Sequence, residues 1–394
     1  MGKLGGLLCG ICAALSACNL PTGGGLSSAA SATRAVVAAE ENHTVVLKSD
    51  GTVWGWGLND YGQVSTDNSN TYVENPVQVA GLTGAPVVSV ASGGYHTLAL
   101  RSDGTVLAWG MNGNGELGDG STSWDYGIGP VQVRSLTGIV AVAAGYWHSV
   151  ALKNDGTVWA WGATSQGVLG DPSAIDGSTP VKVVGLSGVV AVSAGTEFTL
   201  ALKNDGTVWA WGDNSYGQLG DGKGASDAYS ASPVMVNGLT GVAAISAGYD
   251  HALALKNDGT VWAWGRDDVY QCGVDYVEGV NELVPVRAGS LSGVVTIAAG
   301  GWHNLALKSD GTLLAWGRNS YRESGSGSED VNILVPVAVS IPTGERVARI
   351  AAGENHSIAL MADGKLFAWG GNDDGQIGNG TDTQAEFPVE IGVF

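Results

Sequence analysis

An Asp-Gly pair recurs at a spacing of 50–53 residues along this 394-residue chain, with its glycine at Gly51, Gly104, Gly156, Gly206, Gly259, Gly311 and Gly364. So regular a period constrains the fold more than any other feature, because the chain must be an array of one repeated unit. The third copy shows the unit in full: Val142-Ala143-Ala144-Gly145, then Tyr146-Trp147-His148, Val150-Ala151-Leu152-Lys153, Asp155-Gly156-Thr157-Val158-Trp159-Ala160-Trp161-Gly162 and, further on, Pro180-Val181-Lys182-Val183. Asp-Gly between two apolar runs is a hairpin signal, since such turns need φ > 0. The flanking runs, rich in Val, Leu and Trp, read as strands. Trp159 and Trp161 stand two apart and share one face of a strand, with Ala160 on the other. The pattern returns at Trp54/Trp56, Trp209/Trp211 and Trp262/Trp264, and with one replacement at Leu107/Trp109, Leu314/Trp316 and Phe367/Trp369. Large residues on one face and small ones on the other suit sheets stacked face to face. One unit of four short strands cannot bury both faces, but a closed ring of seven can. No unit has helical periodicity, which excludes helical solenoids.

Composition narrows the function. Lys and Arg total 18 against 37 Asp and Glu, a net charge of −19. Such a surface repels phosphate, so nucleic acid is not the expected ligand. The six histidines, His43, His96, His148, His251, His303 and His356, share one slot of the repeat, and the fourth copy has Phe198 there. A catalytic histidine would stand out from its repeat, so these read as structural. Equivalent positions in a ring lie too far apart for the ~2 Å bonds of one metal ion. Loops such as Asn372-Asp373-Asp374 lack the EF-hand spacing. The Gly217–Gly224 stretch is a repeat loop, seen again at Gly115–Gly120 and Gly375–Gly380, and lacks the final Ser/Thr of a phosphate-binding loop. No nucleophile elbow or zinc-protease helix occurs. The chain is therefore expected to be non-enzymatic, with no catalytic residue, metal or cofactor. Lys48, Arg101, Lys153, Lys203, Lys256 and Lys308 precede the turns, which leaves the opposite rim expected to be acidic.

Function is sought where the residue varies inside the fixed frame. Before the histidine slot the pairs are Glu41-Asn42, Gly94-Tyr95, Tyr146-Trp147, Thr196-Glu197, Tyr249-Asp250, Gly301-Trp302 and Glu354-Asn355. These loops open on one face. They are expected to form a ring of exposed aromatics (Tyr95, Tyr146, Trp147, Tyr249, Trp302) interleaved with carboxylates (Glu41, Glu197, Asp250, Glu354). Aromatics on rigid loops are typical interface anchors, so these residues form the expected partner-binding face. The alternative from another class is a carbohydrate-binding or carbohydrate-hydrolysing propeller on the same face. It would require two of the ring acids in one pocket.

The N-terminus reads as an address. Lys3 is followed by an apolar run from Leu4 to Leu15, which fits residues 1–17 as a secretory signal and is too short to span a membrane. Leu15-Ser16-Ala17-Cys18 resembles the bacterial lipobox, which makes Cys18 the expected lipidation site and new N-terminus. Residues 18–34 read as a flexible tether and 35–394 as the propeller. The expected location is the bacterial cell envelope, lipid-anchored, at the outer membrane or cell surface, as a monomer. Cys9 and Cys12 would leave with the signal, and Cys272 then has no disulfide partner.

The Ala-Gly-x-x-His segment, the Ala-Leu-Lys-x-Asp-Gly turn, the Trp-x-Trp-Gly strand and the Gly217-Gln218-Leu219-Gly220 loop together resemble the regulator-of-chromosome-condensation repeat. The resemblance covers all seven units, residues 35–394. It implies an all-β fold, a seven-bladed β-propeller of about 52-residue repeats. Because the last unit ends on its Pro388 strand, the ring is expected to be closed by the C-terminal strand completing the blade begun at the N-terminus. Within the family, the aromatic and acidic loops look most like the secreted bacterial propellers that inhibit β-lactamases. That implies a protein partner gripped by this face.

Overall fold

The computed structural model describes residues 35–394 apart from 66–70, 225–227, 275–279 and 343. The signal, the tether and Cys18 lie outside the described residues. Seven four-stranded antiparallel sheets make up the structure, each built from four consecutive strands, here a to d from the axis outward. Blade 1 runs Val36–Glu40, His43–Leu47, Val53–Leu58 and Tyr72–Gln78, and blade 7 runs Val347–Ala352, His356–Met361, Lys365–Gly370 and Ala385–Val393. The seven a strands surround a narrow central channel, lined mostly by Ala, Ser, Val and Ile, with a cavity of about 110 Å³.

The Trp-x-Trp strands do the expected packing. In each blade the second position (Trp56, Trp109, Trp161, Trp211, Trp264, Trp316, Trp369) is buried. Its indole N–H donates to a main-chain carbonyl of the preceding blade's c–d loop: Trp109 to Gln63, Trp161 to Glu116, Trp264 to Gln218 and Trp369 to Glu323, at 2.7–2.9 Å. The first Trp is half-buried, and in four blades a lysine ammonium lies over it, as with Lys153 on Trp159 at 5.7 Å.

One expectation gains its detail and another is corrected. The Asp-Gly hairpin has a three-residue loop: Gly156 N donates to Lys153 O and Lys153 N to Thr157 O, with φ 78° at Gly156 alone. It is a type I turn followed by a left-handed glycine, which fits the strand twist without φ > 0 at the aspartate. The Asp155 carboxylate instead accepts from the Thr157 N–H and hydroxyl.

The C-terminal strand completes its own blade, not the first one. Seven a strands and seven d strands are in phase, so no blade lacks a strand to borrow. The seam between blades 7 and 1 is built like the other interfaces. Trp56 Nε1 donates to Gln376 O at 2.9 Å, Thr44 Oγ1 meets His356 Nε2 at 2.9 Å, and Glu354 N donates to Glu41 O at 3.0 Å. Phe394 adds a ring contact to Trp56 at 5.7 Å.

Candidate functional site

The a–b loops gather at one end of the channel, and their backbone is fixed independently of their side chains. In every blade the glycine after the second Trp lets the c strand pass against the loop. At Gly162, φ is 108° and a Cβ would lie 2.5 Å from Trp147 O. The next N–H then donates to that carbonyl: Ala163 to Trp147, Asp213 to Glu197, Arg266 to Asp250, and likewise in the other four blades. Main-chain bonds also run from loop to loop around the mouth, among them Gly94 to Gly145, Tyr146 to Thr196, Thr196 to Tyr249 and Gly301 to Gly353. A slot held by its carbonyl can vary its side chain at little cost, which is the physical reason the sequence varies there.

Each histidine is buried and joins its blade to the next: His148 Nε2 to Thr199 Oγ1 at 2.9 Å, His96 to Ser149, His251 to Asn304 and His303 to Ser357 at 2.8 Å. Burial lowers their pKa values to about 3–4, so the rings are neutral. The structural reading of this column therefore holds. Cys272 is buried and free, in the slot that holds Leu219 in blade 4, and burial raises its thiol pKa.

The ring residues meet at the mouth but are more enclosed than expected. Tyr95 and Tyr146 share a hydroxyl–hydroxyl bond of 3.0 Å. Trp147 packs on Tyr146 at 4.5 Å and on Tyr95 at 5.5 Å, while Tyr146 and Trp302 reach Tyr249 at 6.4 and 5.7 Å. Tyr249 and Glu41 are buried; Tyr95, Tyr146, Trp147, Glu197, Asp250, Trp302 and Glu354 are half-buried. The exposed ring is thus corrected to a packed one, because the seven loops converge on a channel too narrow to keep their aromatics apart.

Nor is the rim uniformly acidic. Arg266 lies 4.4 Å from the centre of the Trp302 ring and 4.6 Å from Tyr216, and it pairs with Asp250 at 3.3 Å and Asp268 at 2.6 Å. Arg318 covers Trp302 from 5.5 Å and pairs with Glu323 at 3.0 Å. Both arginines follow the Trp-x-Trp-Gly motif, at a slot held elsewhere by Leu58, Met111, Ala163, Asp213 and Gly371. That variation was the signal that would have found them.

Electrostatics differ around the mouth. Burial raises the Asp250 pKa to about 6 despite Arg266, and burial followed by Asp213 raises that of Glu197. Glu41 is pushed up to about 8 by burial and then by the neighbouring Glu354. Beneath it Glu40 faces the channel, its carboxyl raised well above the usual range by burial, Glu41 and Glu354. Glu40 was missed, although it breaks a column that is glycine in the other six blades (Gly93, Gly145, Gly195, Gly248, Gly300, Gly353).

One loop acid departs from its repeat. Asp267 occupies a slot that is Asn59, Asn112, Asn214, Asn319 and Asn372 in five other blades and Thr164 in the third, and accepts from Cys272 N at 2.7 Å. Burial lifts its pKa to about 7. The unfolded carboxyl ionises near 4, so folding is opposed as pH rises from about 4 to about 7 and beyond. Asp267→Asn keeps the acceptor and should raise the melting temperature at pH 8 by several degrees while changing it little at pH 4. A thermal scan at the two pH values checks this; equal shifts at both would contradict the assignment.

A family model described as the RCC1-like domain matches residues 70–393, and one described as the regulator of chromosome condensation (RCC1) repeat matches residues 37–63. The chain is 31% identical over 355 residues to the ultraviolet-B receptor UVR8 of Arabidopsis thaliana, covering 89% of this chain and 68% of that protein. It is 32% identical over 359 residues to the E3 ubiquitin-protein ligase HERC2 of Homo sapiens, covering 88% of this chain but 6% of that protein. Among solved structures, yeast RCC1 (Prp20) bound to Kap60 aligns with TM-score 0.76 and 28% identity, over 86% of this chain and 82% of that one. Prp20p from Saccharomyces cerevisiae, described with its binding properties to Gsp1p and histones, aligns with TM-score 0.76 and 27% identity, over 90% and 86%.

Proposed function

Because the chain belongs to the RCC1-like domain family, we propose that it is a non-enzymatic propeller, lipid-anchored at the bacterial cell envelope, that holds a protein partner on the a–b loop mouth. One observation carries the reading. At the mouth the backbone repeats while the side chains vary, with six different pairs in seven blades (Glu-Asn recurs in blades 1 and 7), and they gather into one aromatic and acidic surface. At the opposite end the Asp-Gly turns are nearly identical, as expected of a frame and not of a recognition surface. Solved relatives described as bound to Kap60, or as binding Gsp1p and histones, support a protein partner.

The test is capture from an envelope extract by two altered full-length chains. One carries Trp147→Ala with Trp302→Ala at the mouth, the other Lys153→Ser with Lys203→Ser at the opposite end. A protein retained by the second and lost by the first supports the reading. One lost or kept equally by both, or no captured protein at all, contradicts it. The envelope anchor rests on Leu15-Ser16-Ala17-Cys18 behind the apolar run. Cys18→Ser should abolish labelling by a palmitate analogue, and label persisting on the variant would sink the anchor.

The glycan reading is favoured by one feature, the adjacent acids Glu41 and Glu354 with the Glu41 pKa raised to about 8. Hydrolysis, however, needs two carboxyls about 5–9.5 Å apart across a bound sugar. The axial cavity, about 110 Å³, is below the roughly 300 Å³ at which small-molecule pockets begin. Release of reducing sugar from envelope polysaccharide by the wild type, and not by Glu41→Gln, would revive it.

A further inference from the structure

The mouth displays one way in which this face holds a cation. The Arg266 guanidinium lies between the Trp302 and Tyr216 rings and pairs with Asp250 and Asp268. Blades 7 and 1 bring together the same ingredients without a cation of their own. Glu41, 6% exposed, adjoins Glu354, with Glu40 below. No Lys or Arg among the described residues pairs with any of the three. Tyr249, 8% exposed, aims its hydroxyl at this group; it lies against the Glu41 carboxyl yet makes no hydrogen bond of normal geometry. Tyr146 and Trp302 pack on Tyr249, and Trp147 on Tyr146.

Carboxylates under an aromatic wall fit an alkylammonium, whose charged head meets the acids while its methylenes lie on the rings. A calcium ion would require six to eight oxygens, and no group of three or more His, Cys, Asp or Glu among the described residues could hold a metal. We propose that the axial mouth between blades 7 and 1 is a receptor for a single primary alkylammonium group, held by Glu41 and Glu354 beside Tyr249 and Tyr146. This rests on the proposed protein-binding role and gives it a chemistry, since a lysine side chain of the partner would supply the group. A free amine is the other source of the same chemistry.

Binding is linked to protons. Glu41 faces Glu40, Glu354, Asp374, Tyr249, Tyr146 and Tyr95, with no cation among them. Glu41 therefore carries a proton at neutral pH, and the ammonium must displace it. Affinity should rise with pH up to about 8, by as much as tenfold per unit.

The test titrates the full chain with n-butylammonium chloride, following tryptophan fluorescence and heat, with n-butanol as the neutral control. Saturable binding of the ammonium alone is expected, weakened at least tenfold in Glu41→Gln/Glu354→Gln and tighter at pH 8 than at pH 6. The double variant relieves like-charge crowding and should melt no lower than wild type. An equal response to butanol, or full affinity in that variant with its melting temperature intact, would overturn the proposal. A second arm repeats the envelope capture after acetylating the lysines of the extract. Loss of capture assigns the group to a partner lysine. Capture that persists while n-butylammonium still binds assigns the receptor to a free amine and leaves the protein-binding face standing. Capture that persists with no butylammonium binding overturns the receptor alone.

Discussion

Replacing Trp56 with alanine should destabilise the whole ring by about 3–5 kcal/mol, the usual effect of truncating a buried tryptophan. The indole is fully buried and its N–H donates to Gln376 O across the seam. Trp211→Ala should cost the same within error, since Trp211 is equally buried and makes the corresponding bond to Val168 O at 2.9 Å inside the ring. The comparison isolates the seam. A ring closed by a strand shared between its ends would tolerate loss of one packing contact there better than elsewhere. A ring closed only by side-chain packing and these bonds would not. Equilibrium urea unfolding of both variants checks it, and a much milder effect for Trp56→Ala would show that the ends are joined in another way.

Acid should unfold the protein, most steeply between pH 5 and pH 4. The six buried histidines have pKa values of about 3–4 against an ordinary 6.5. The folded value is depressed, so the unfolded chain takes up protons first as pH falls below 6.5. Stability is lost from there down to the folded values, by about 2 kcal/mol per histidine at pH 5. Glu41, Asp250 and Asp267, at about 8, 6 and 7, work in the opposite sense. The folded state binds their protons first, so falling pH gains stability until the unfolded carboxyls also titrate near 4. The two effects partly cancel between pH 7 and 5.5. Below pH 5 the carboxyl gain tapers off as the unfolded carboxyls begin to titrate, while the loss from six histidines continues. Melting temperatures between pH 7.5 and 4 check this, and an unchanged value at pH 4 would contradict neutral, interlocking histidines.

The frame was legible because each of its residues answers to a partner repeated seven times. A Trp two positions from another Trp must lie on its face of the strand, and a histidine common to six blades cannot serve one site. What escaped depends on contacts between units. Nothing along the chain says that Tyr95 and Tyr146 bond through their hydroxyls, or that Arg266, 36 residues before Trp302, stacks upon it. Those contacts exist because the loops meet at the axis, and convergence is a property of the closed ring. The strand clasp was a miscount of another kind. The first blade already owns its outer strand, Tyr72–Gln78, and the last owns Ala385–Val393. The hairpin was legible but its loop length was not, because Asp-Gly serves both two- and three-residue loops, and here only Gly156 and its equivalents take positive φ.

The central claim, that the loop mouth is the binding surface and not merely a packed cap, is tested most directly by measuring affinity and stability on one variant. Trp147→Ala with Trp302→Ala removes two half-buried rings whose slot differs in the other blades. Each anchor tryptophan typically contributes about 2 kcal/mol to a complex, so the pair should weaken partner binding roughly a thousandfold. The Trp302 neighbours Arg266 and Arg318 keep their ion pairs, so the melting temperature should fall by only a few degrees. Affinity unchanged in this variant, or a collapse in melting temperature of the size expected for a buried core tryptophan, would contradict the account.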